Sequence, residues 1–334
     1  MKVNIKQISD NTGFSPATVS NALNGKPGVN QKTAEIICEE ASRLGYIVQD
    51  KISKIKFITY RKNGKIIDGS LFFSELIEGV EKQAKSLGYE TVFIRLDRQD
   101  KDFDIQLNEV LNDSGSAFIL LATEMDESDI ELFDKISGRL ILLDGWSNTM
   151  KYNSVLINST DSVCAAVEYL VKCGHKDIGY IRGDYRIKAF EYREYGYKRT
   201  LAKYNLEYNE NYVATVGTQP ETAYEDMKTY LDTQKELPTA FFCDNDSIAI
   251  GAIKALKENG YKIPDDISIL GFDDLPLSSV VNPELTTIHV YKHNMGEIAV
   301  RKVLDEINNK NDAKSKIEVC GELIIRQSVK NIAE

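Results

Sequence analysis

From Ile55 onward the sequence alternates between short, continuous apolar runs and segments with helical spacing, and this alternation limits the architectures open to the chain. The runs 55–60, 91–96, 117–121, 140–143, 155–157, 178–181, 239–243 and 267–272 are mostly apolar at successive positions rather than at every second one. A strand of that kind is buried on both faces, as in a parallel sheet covered by helices. Between the runs, segment 74–87 puts Leu76, Ile77, Val80, Ala84 and Leu87 on one stripe, with a serine cap expected at Ser74 and a left-handed stop at Gly88. The glycine-tyrosine stop recurs at Gly45-Tyr46 and Gly260-Tyr261. Sustained over most of 334 residues, the pattern predicts an α/β body of two doubly wound parallel sheets, because one core does not grow that large.

Charge separates a head from this body. The net charge is −10, yet the first 56 residues hold eight Lys/Arg against five Asp/Glu, while the other 278 hold 33 against 46. A basic head on an acidic body is expected where only the head meets phosphate.

The head has its own pattern. Residues 5–22 read IKQISDNTGFSPATVSNA. A helix-turn-helix needs a small residue at the helix crossing, a glycine in the turn and apolar anchors on both helices. Ser9, Gly13 and the set Ile5, Ile8, Phe14, Val19 and Ala22 supply these. Ser15 caps the second helix and Pro16 sits in its first turn, where a missing amide proton is harmless. A third helix is expected from Asn30 as cap to Leu44, with Ala34, Ile37, Ala41 and Leu44 inward. The second helix presents Pro16, Ala17, Thr18, Ser20 and Asn21, short side chains that let its backbone enter a major groove. Asn21 suits an adenine edge and Pro16 or Ala17 a thymine methyl, while Lys2, Lys6, Lys26, Asn30 and Lys32 flank that face as backbone contacts.

Other classes are disfavoured. The longest apolar runs are far short of the about 20 residues that span a bilayer, and the N-terminus lacks a signal-peptide pattern, so a cytoplasmic setting is expected. The five cysteines are scattered without C-x-x-C spacing, which argues against a disulfide framework or a metal site. No phosphate loop, nucleophile elbow or zinc-protease motif is present, so no catalytic residue and no cofactor is assigned. His175 follows Gly174 at a helix end, where a positive charge would suit the dipole. A sugar-binding sensor or transport protein without specific DNA binding is the alternative that shares the body.

The markers TVSNALNG, FFSELIEGVEKQAKSLGY (72–89), YLVKCGHKDIGYIRG (169–183), REYGYKRTL (193–201), FFCDNDSIAIGAIKAL (241–256), ISILGFDD (267–274) and PELTTIH (283–289) follow one another in order. Together they resemble the LacI/GalR (lactose/galactose repressor) family of bacterial transcriptional regulators along nearly the whole chain. The resemblance implies a homodimer on a palindromic operator and a body like a periplasmic sugar-binding protein, with a small-molecule effector, a sugar or sugar derivative, held between its lobes. It divides the chain into a head (1–47), a linker (48–54) and an effector-binding domain (55–334), whose N-lobe takes about 55–157 and 287–317 and whose C-lobe takes about 158–286 and 318–334. By motif match Arg193, Asn245 and Asp273 would grip the effector. Asp144 and, as stacking surfaces, Phe72, Phe73 and Trp146 complete the candidate set.

Two departures stand out. The family's Y-x-P-N-x-x-A hinge segment is replaced here by GYIVQDKISKIKFI, with Val48-Gln49 in place of Pro-Asn, so the usual hinge helix is not expected. Lys51, Lys54 and Lys56 fall in this stretch, as phosphate contacts or as solvated charges. The sequence also closes soon after GELIIRQSV without a heptad tail, which favours a dimer over a tetramer.

Overall fold

The structure, a computed structural model, describes residues 4–23, 28–44, 52–309 and 313–333. The chain divides into two compact units, Met1–Ser53 and Lys54–Glu334.

The first unit holds helices α1 (Ile5–Thr12), α2 (Pro16–Leu23) and α3 (Gln31–Arg43). Local hydrogen bonds fix each helix start. Asn4 and Gln7 exchange side-chain and backbone bonds at 2.9 and 3.0 Å, a capping box for α1. Ser15 Oγ accepts the Thr18 N–H at 3.1 Å, and Asn30 Oδ1 accepts that of Thr33 at 2.8 Å. Gly13 ends α1 with φ 73°, and the buried Ser9 hydroxyl donates to the Phe14 carbonyl at 2.6 Å, tying the turn to the first helix. Ile8, Val19, Ala22, Leu23, Ile37 and Ala41 form the core, with Ile5, Phe14, Ala34 and Leu44 packed against it.

Lys2, Lys26, the Gly45-Tyr46 stop, Val48-Gln49 and Lys51 lie outside the described residues. Lys54 and Lys56 belong instead to the first strand of the body. Lys54 Nζ lies 3.3 Å from Glu90 and Lys56 pairs with Asp113, so both charges are engaged within the second unit.

The second unit contains two parallel sheets. One is built from β1 (Lys54–Arg61), β2 (Glu90–Asp97), β3 (Ser116–Leu121), β4 (Leu140–Leu143), β5 (Asn153–Ile157) and β11 (Lys316–Val319), in the order β2-β1-β3-β4-β5-β11. The other comprises β6 (Ile178–Gly183), β7 (Val213–Val216), β8 (Ala240–Cys243) and β9 (Ser268–Leu270), in the order β7-β6-β8-β9. Every residue of β3, β4, β5 and β8 is buried, as their continuous apolar runs require. Helices α4 (Phe72–Ser86), α5 (Phe103–Asn112), α6 (Glu127–Glu131) and α11 (Lys292–Asn309) accompany the first sheet. Helices α7 (Ser159–Lys172), α8 (Lys188–Lys203), α9 (Pro220–Thr233) and α10 (Asp246–Glu258) accompany the second.

The chain leaves the first sheet after β5 and enters the second lobe through α7. It returns through β10 (Thr287–His289) and α11, and crosses once more after Val319 into β12 (Glu322–Ile324), which pairs antiparallel with β10. Residues beyond β12 run beside β9, with the Ile269 N–H donating to Ser328 O at 2.8 Å. Helices α4 and α11 cross at two glycines: a Cβ on Gly79 would stand 2.1 Å from the His293 carbonyl oxygen, and one on Gly296 would stand 2.4 Å from that of Leu76.

Three readings change. Helix α4 starts at Phe72, not at a Ser74 cap; Leu71 precedes it without a side-chain cap, and Ser70 Oγ accepts the Phe72 N–H at 3.3 Å. Burial of Phe72 and Phe73 draws them into the first turn. His175 is 2% exposed, and burial lowers its pKa, so it serves as a neutral core residue rather than a charge at a helix end. Its Nε2 donates to Lys330 O at 3.0 Å. The short strands β7, β10, β11 and β12 were not anticipated, because three or four residues, half of them exposed in β11, carry little periodic signal.

Candidate effector cleft and DNA-reading face

The carboxyl ends of parallel strands are where open α/β sheets bind ligands, and the strand ends of both sheets converge on one cleft of about 460 Å3. Asp144 follows β4, Asn245 follows β8 and Asp273 follows β9, while Phe72 and Phe73 open α4 and Arg193 projects from α8. Six of the seven candidate effector residues thus line one cavity. The seventh, Trp146, lines an adjoining one.

Arg193 organises the floor. It is 3% exposed, and its Cζ lies 3.7 Å from the centre of the Phe272 ring. Nη1 donates to the Asp244 carbonyl and Nη2 to Asp273 Oδ1 at 3.2 Å. Nε has no partner. Among the described residues only Ser154 Oγ, Ser159 Oγ and Arg193 Nε are buried polar side-chain atoms without a hydrogen bond, and the last two belong to residues lining the two cavities. A buried donor that no protein group meets calls for a partner from outside the chain, water or ligand.

Carboxylates surround this cation. Burial pushes the Asp144 carboxyl up to about 6, although the Thr123 hydroxyl donates to it at 2.7 Å. Asp273, φ 110°, and Asp144, φ 55°, hold left-handed backbone that side chains rarely adopt, strain that persists where the surroundings fix it. Asn245 Oδ1 caps α10 by accepting the Ile248 N–H at 3.0 Å, which leaves its amide nitrogen for the cleft. Phe72 and Phe73, 5% and 7% exposed, pack edge-to-face at 5.1 Å. They are core and cleft wall at once.

Sequence reasoning missed three supports. Glu124, 3% exposed, accepts five backbone N–H groups: Lys62, Asn63 and Gly64 at Oε2, Ile66 and Ile67 at Oε1, all at 2.9–3.1 Å. It thereby holds the loop after β1 that lines the cleft with Ile66 and Ser70. Lys292, 1% exposed at the start of α11, donates to the Asp273 carbonyl at 2.7 Å, fixing that loop from the other lobe. Asp246 accepts bonds from Thr287 and Ser278 hydroxyls at 2.6 Å and the Leu275 N–H at 2.8 Å. The D-N-D string hinted at Asp246; nothing local marked the other two.

The lobes also meet across the mouth. Thr218 Oγ1 and Gln219 Nε2 donate to Lys65 O at 2.6 and 3.2 Å, and Lys188 Nζ donates to Trp146 O at 2.7 Å.

Burial, reinforced by Asp273, raises the Asp246 carboxyl to about 7. Its folded pKa therefore exceeds the unfolded value near 3.8, and the native state holds the proton more tightly. Stability from this group is present at low pH and is lost as pH rises through about 7. Urea unfolding of wild type and Asp246→Asn is expected to show wild type losing ground to the variant between pH 5 and pH 8; an unchanging gap would refute a buried neutral acid.

In the head, Pro16 and Ala17 are exposed on α2, and Thr18, Ser20 and Asn21 are partly exposed. Lys6 and Lys32 are exposed as well, whereas Asn30 spends its Oδ1 on the α3 cap and Lys26 lies outside the described residues. The small side chains leave the α2 backbone accessible, as groove entry requires.

A helix-turn-helix unit joined in one chain to a two-sheet body with a polar interlobe cleft defines a ligand-sensing transcriptional regulator. Residues 167–329 match the model of the periplasmic binding protein-like domain. The HTH-type transcriptional repressor PurR of Haemophilus influenzae (strain PittEE) is 31% identical over 333 residues, 98% of this chain and 99% of that protein. PurR of Pasteurella multocida (strain Pm70) is 30% identical over 330 residues, 98% of each. The chain belongs to the LacI/GalR family of transcriptional regulators. Solved structures share the fold: a complex of the regulator CelR with cellobiose (TM-score 0.75, 20% identity, 98% of this chain and 100% of that one), and the lac repressor dimer bound to operator and the anti-inducer ONPF (0.72, 22%, 99% and 100%). Among the described residues no helix is long and apolar enough to cross a membrane.

Proposed function

We propose that this protein is a cytoplasmic transcriptional repressor that binds palindromic operator DNA as a homodimer, with operator affinity switched by a small polyhydroxylated effector held between the lobes. The observation that carries the effector reading is the unpaired Nε of Arg193 in a cleft that also offers Asp144, Asn245 and Asp273. A guanidinium, two carboxylates and an amide suit neighbouring hydroxyls, and Phe72 and Phe73 suit the apolar face of a ring. The effector acts only through its differential affinity for two lobe arrangements; about 5.5 kcal/mol suffices for a near-complete switch.

A thermal-shift screen of sugars and nucleosides, followed by operator binding with and without each hit, tests this. A ligand at a hundred times its dissociation constant stabilises its fold by about 2.7 kcal/mol. Failure of every compound to alter binding to duplexes from the protein's own promoter would overturn the regulatory reading.

In the head, Asn21→Ala is expected to weaken specific DNA binding by about 1–3 kcal/mol without changing the salt slope, because a base contact neutralises no phosphate. Equal weakening on all sequences would rule out base reading by Asn21.

A further inference from the structure

The cleft built on Arg193 continues into a second cavity of about 560 Å3 that shares Asp144, Ile157 and Ala189 with it and extends to Trp146, Ser159 and Lys316. Three features there call for a negative charge. Ser159 is 5% exposed, lines this cavity, and its hydroxyl has no hydrogen-bond partner. It is the first residue of α7, a helix of 14 residues, and Thr160 beside it also lines the cavity. The first amides of a helix lack intrahelical acceptors and carry the positive end of its dipole; Asn158 Oδ1 takes the Asp161 N–H at 3.1 Å, which leaves those of Ser159 and Thr160. Lys316 completes the set. Its ammonium lies 5.3 Å from the centre of the Trp146 ring and, among the described residues, has no hydrogen bond or ion pair.

A second cation stands on the same ring. Lys188 Nζ lies 5.3 Å from the Trp146 ring centre while donating to the Trp146 carbonyl, with Glu127 at 3.5 Å. Burial and then Lys188 depress the pKa of Lys316, and these outweigh the opposing pull of Glu318 and Glu127. Glu318 and Asp144 also line the cavity; neither comes within ion-pair distance of Lys316, although Glu318 acts on it at longer range.

We propose that this second cavity is an oxyanion subsite, in which a phosphate-sized anion is held by Ser159 Oγ, the Ser159 and Thr160 amides at the start of α7, and Lys316. The inference rests on the interlobe cleft being an effector site, and deepens it. The anion is either the phosphoryl end of an effector whose ring occupies the Arg193 cleft or the free ion acting beside it. Trp146 forms one wall, so the subsite bears its own reporter.

Trp146 is the only tryptophan in the chain, and its fluorescence reads the test. The full-length protein is titrated with inorganic phosphate at constant ionic strength. Wild type is expected to show a saturable change. In Lys316→Gln and Ser159→Ala the dissociation constant is expected to rise about tenfold or more, as loss of one charge-assisted hydrogen bond implies. A flat wild-type titration, or unchanged constants in both variants, would overturn the subsite. A hexose 6-phosphate that binds at least tenfold tighter than phosphate assigns the site to a ligand's tail, and equal binding assigns it to the free ion. Because the probe is phosphate alone, a flat titration removes the subsite while leaving the Arg193 cleft intact, and a failed effector screen leaves the titration informative.

Discussion

Replacing Arg193 with alanine is expected to abolish binding of the effector and to destabilise the body by about 3–5 kcal/mol, the usual penalty for stripping one partner from a buried charge pair. The side chain is 3% exposed and its loss leaves Asp273 without the guanidinium 3.2 Å away. Burial already raises the Asp273 pKa against the pull of Arg193. Without that pull the carboxyl takes up a proton more readily, so the native variant binds more protons than its unfolded chain, and its stability falls as pH rises. The deficit should therefore be smaller at pH 5 than at pH 8 in urea titrations. A deficit independent of pH would separate Asp273 from Arg193. Operator binding without effector should survive, since the α2 face belongs to a different unit.

Glu124→Ala should destabilise the body by about 2–6 kcal/mol, because removing the carboxylate orphans two buried donors, Gly64 and Ile66, at about 1–3 kcal/mol each, besides three part-buried ones. The more telling variant is Glu124→Gln. Glutamine matches the shape but keeps one acceptor oxygen, so its NH2 group must face either the two N–H groups at Oε1 or the three at Oε2. It should rescue little. Limited proteolysis is expected to open the segment 62–70 in both variants, and effector affinity should fall with it. Full rescue by glutamine would show that shape rather than charge holds the loop.

The parallel-sheet body was legible because strands buried on both faces must be apolar without interruption, as 117–121 and 140–143 are. That Arg193, Asn245 and Asp273 stand together at one cleft was legible only through motifs that resemble the family's, since the three lie far apart in the chain. Glu124 and Lys292 were not. Their roles depend on partners far along the chain, from 57 to 62 residues for Glu124 and 19 for Lys292, and a single carboxylate or ammonium leaves no periodic trace. Phe72 and Phe73 show the converse limit. Sequence alone could not separate core from cleft, and the packed pair turns out to occupy the boundary between them.

The buried Lys292 has one more consequence. It begins the helix that follows the return crossing of the chain, and it holds the backbone of Asp273, which belongs to the opposite sheet. Asp273 is therefore anchored from both lobes, its carboxylate by Arg193 and its carbonyl by Lys292. The bonds from Thr218 and Gln219 to Lys65 tie the lobes a second time, across the same cleft. A group that engages Asp273 is thus felt by both halves of the body at once, whichever way they shift.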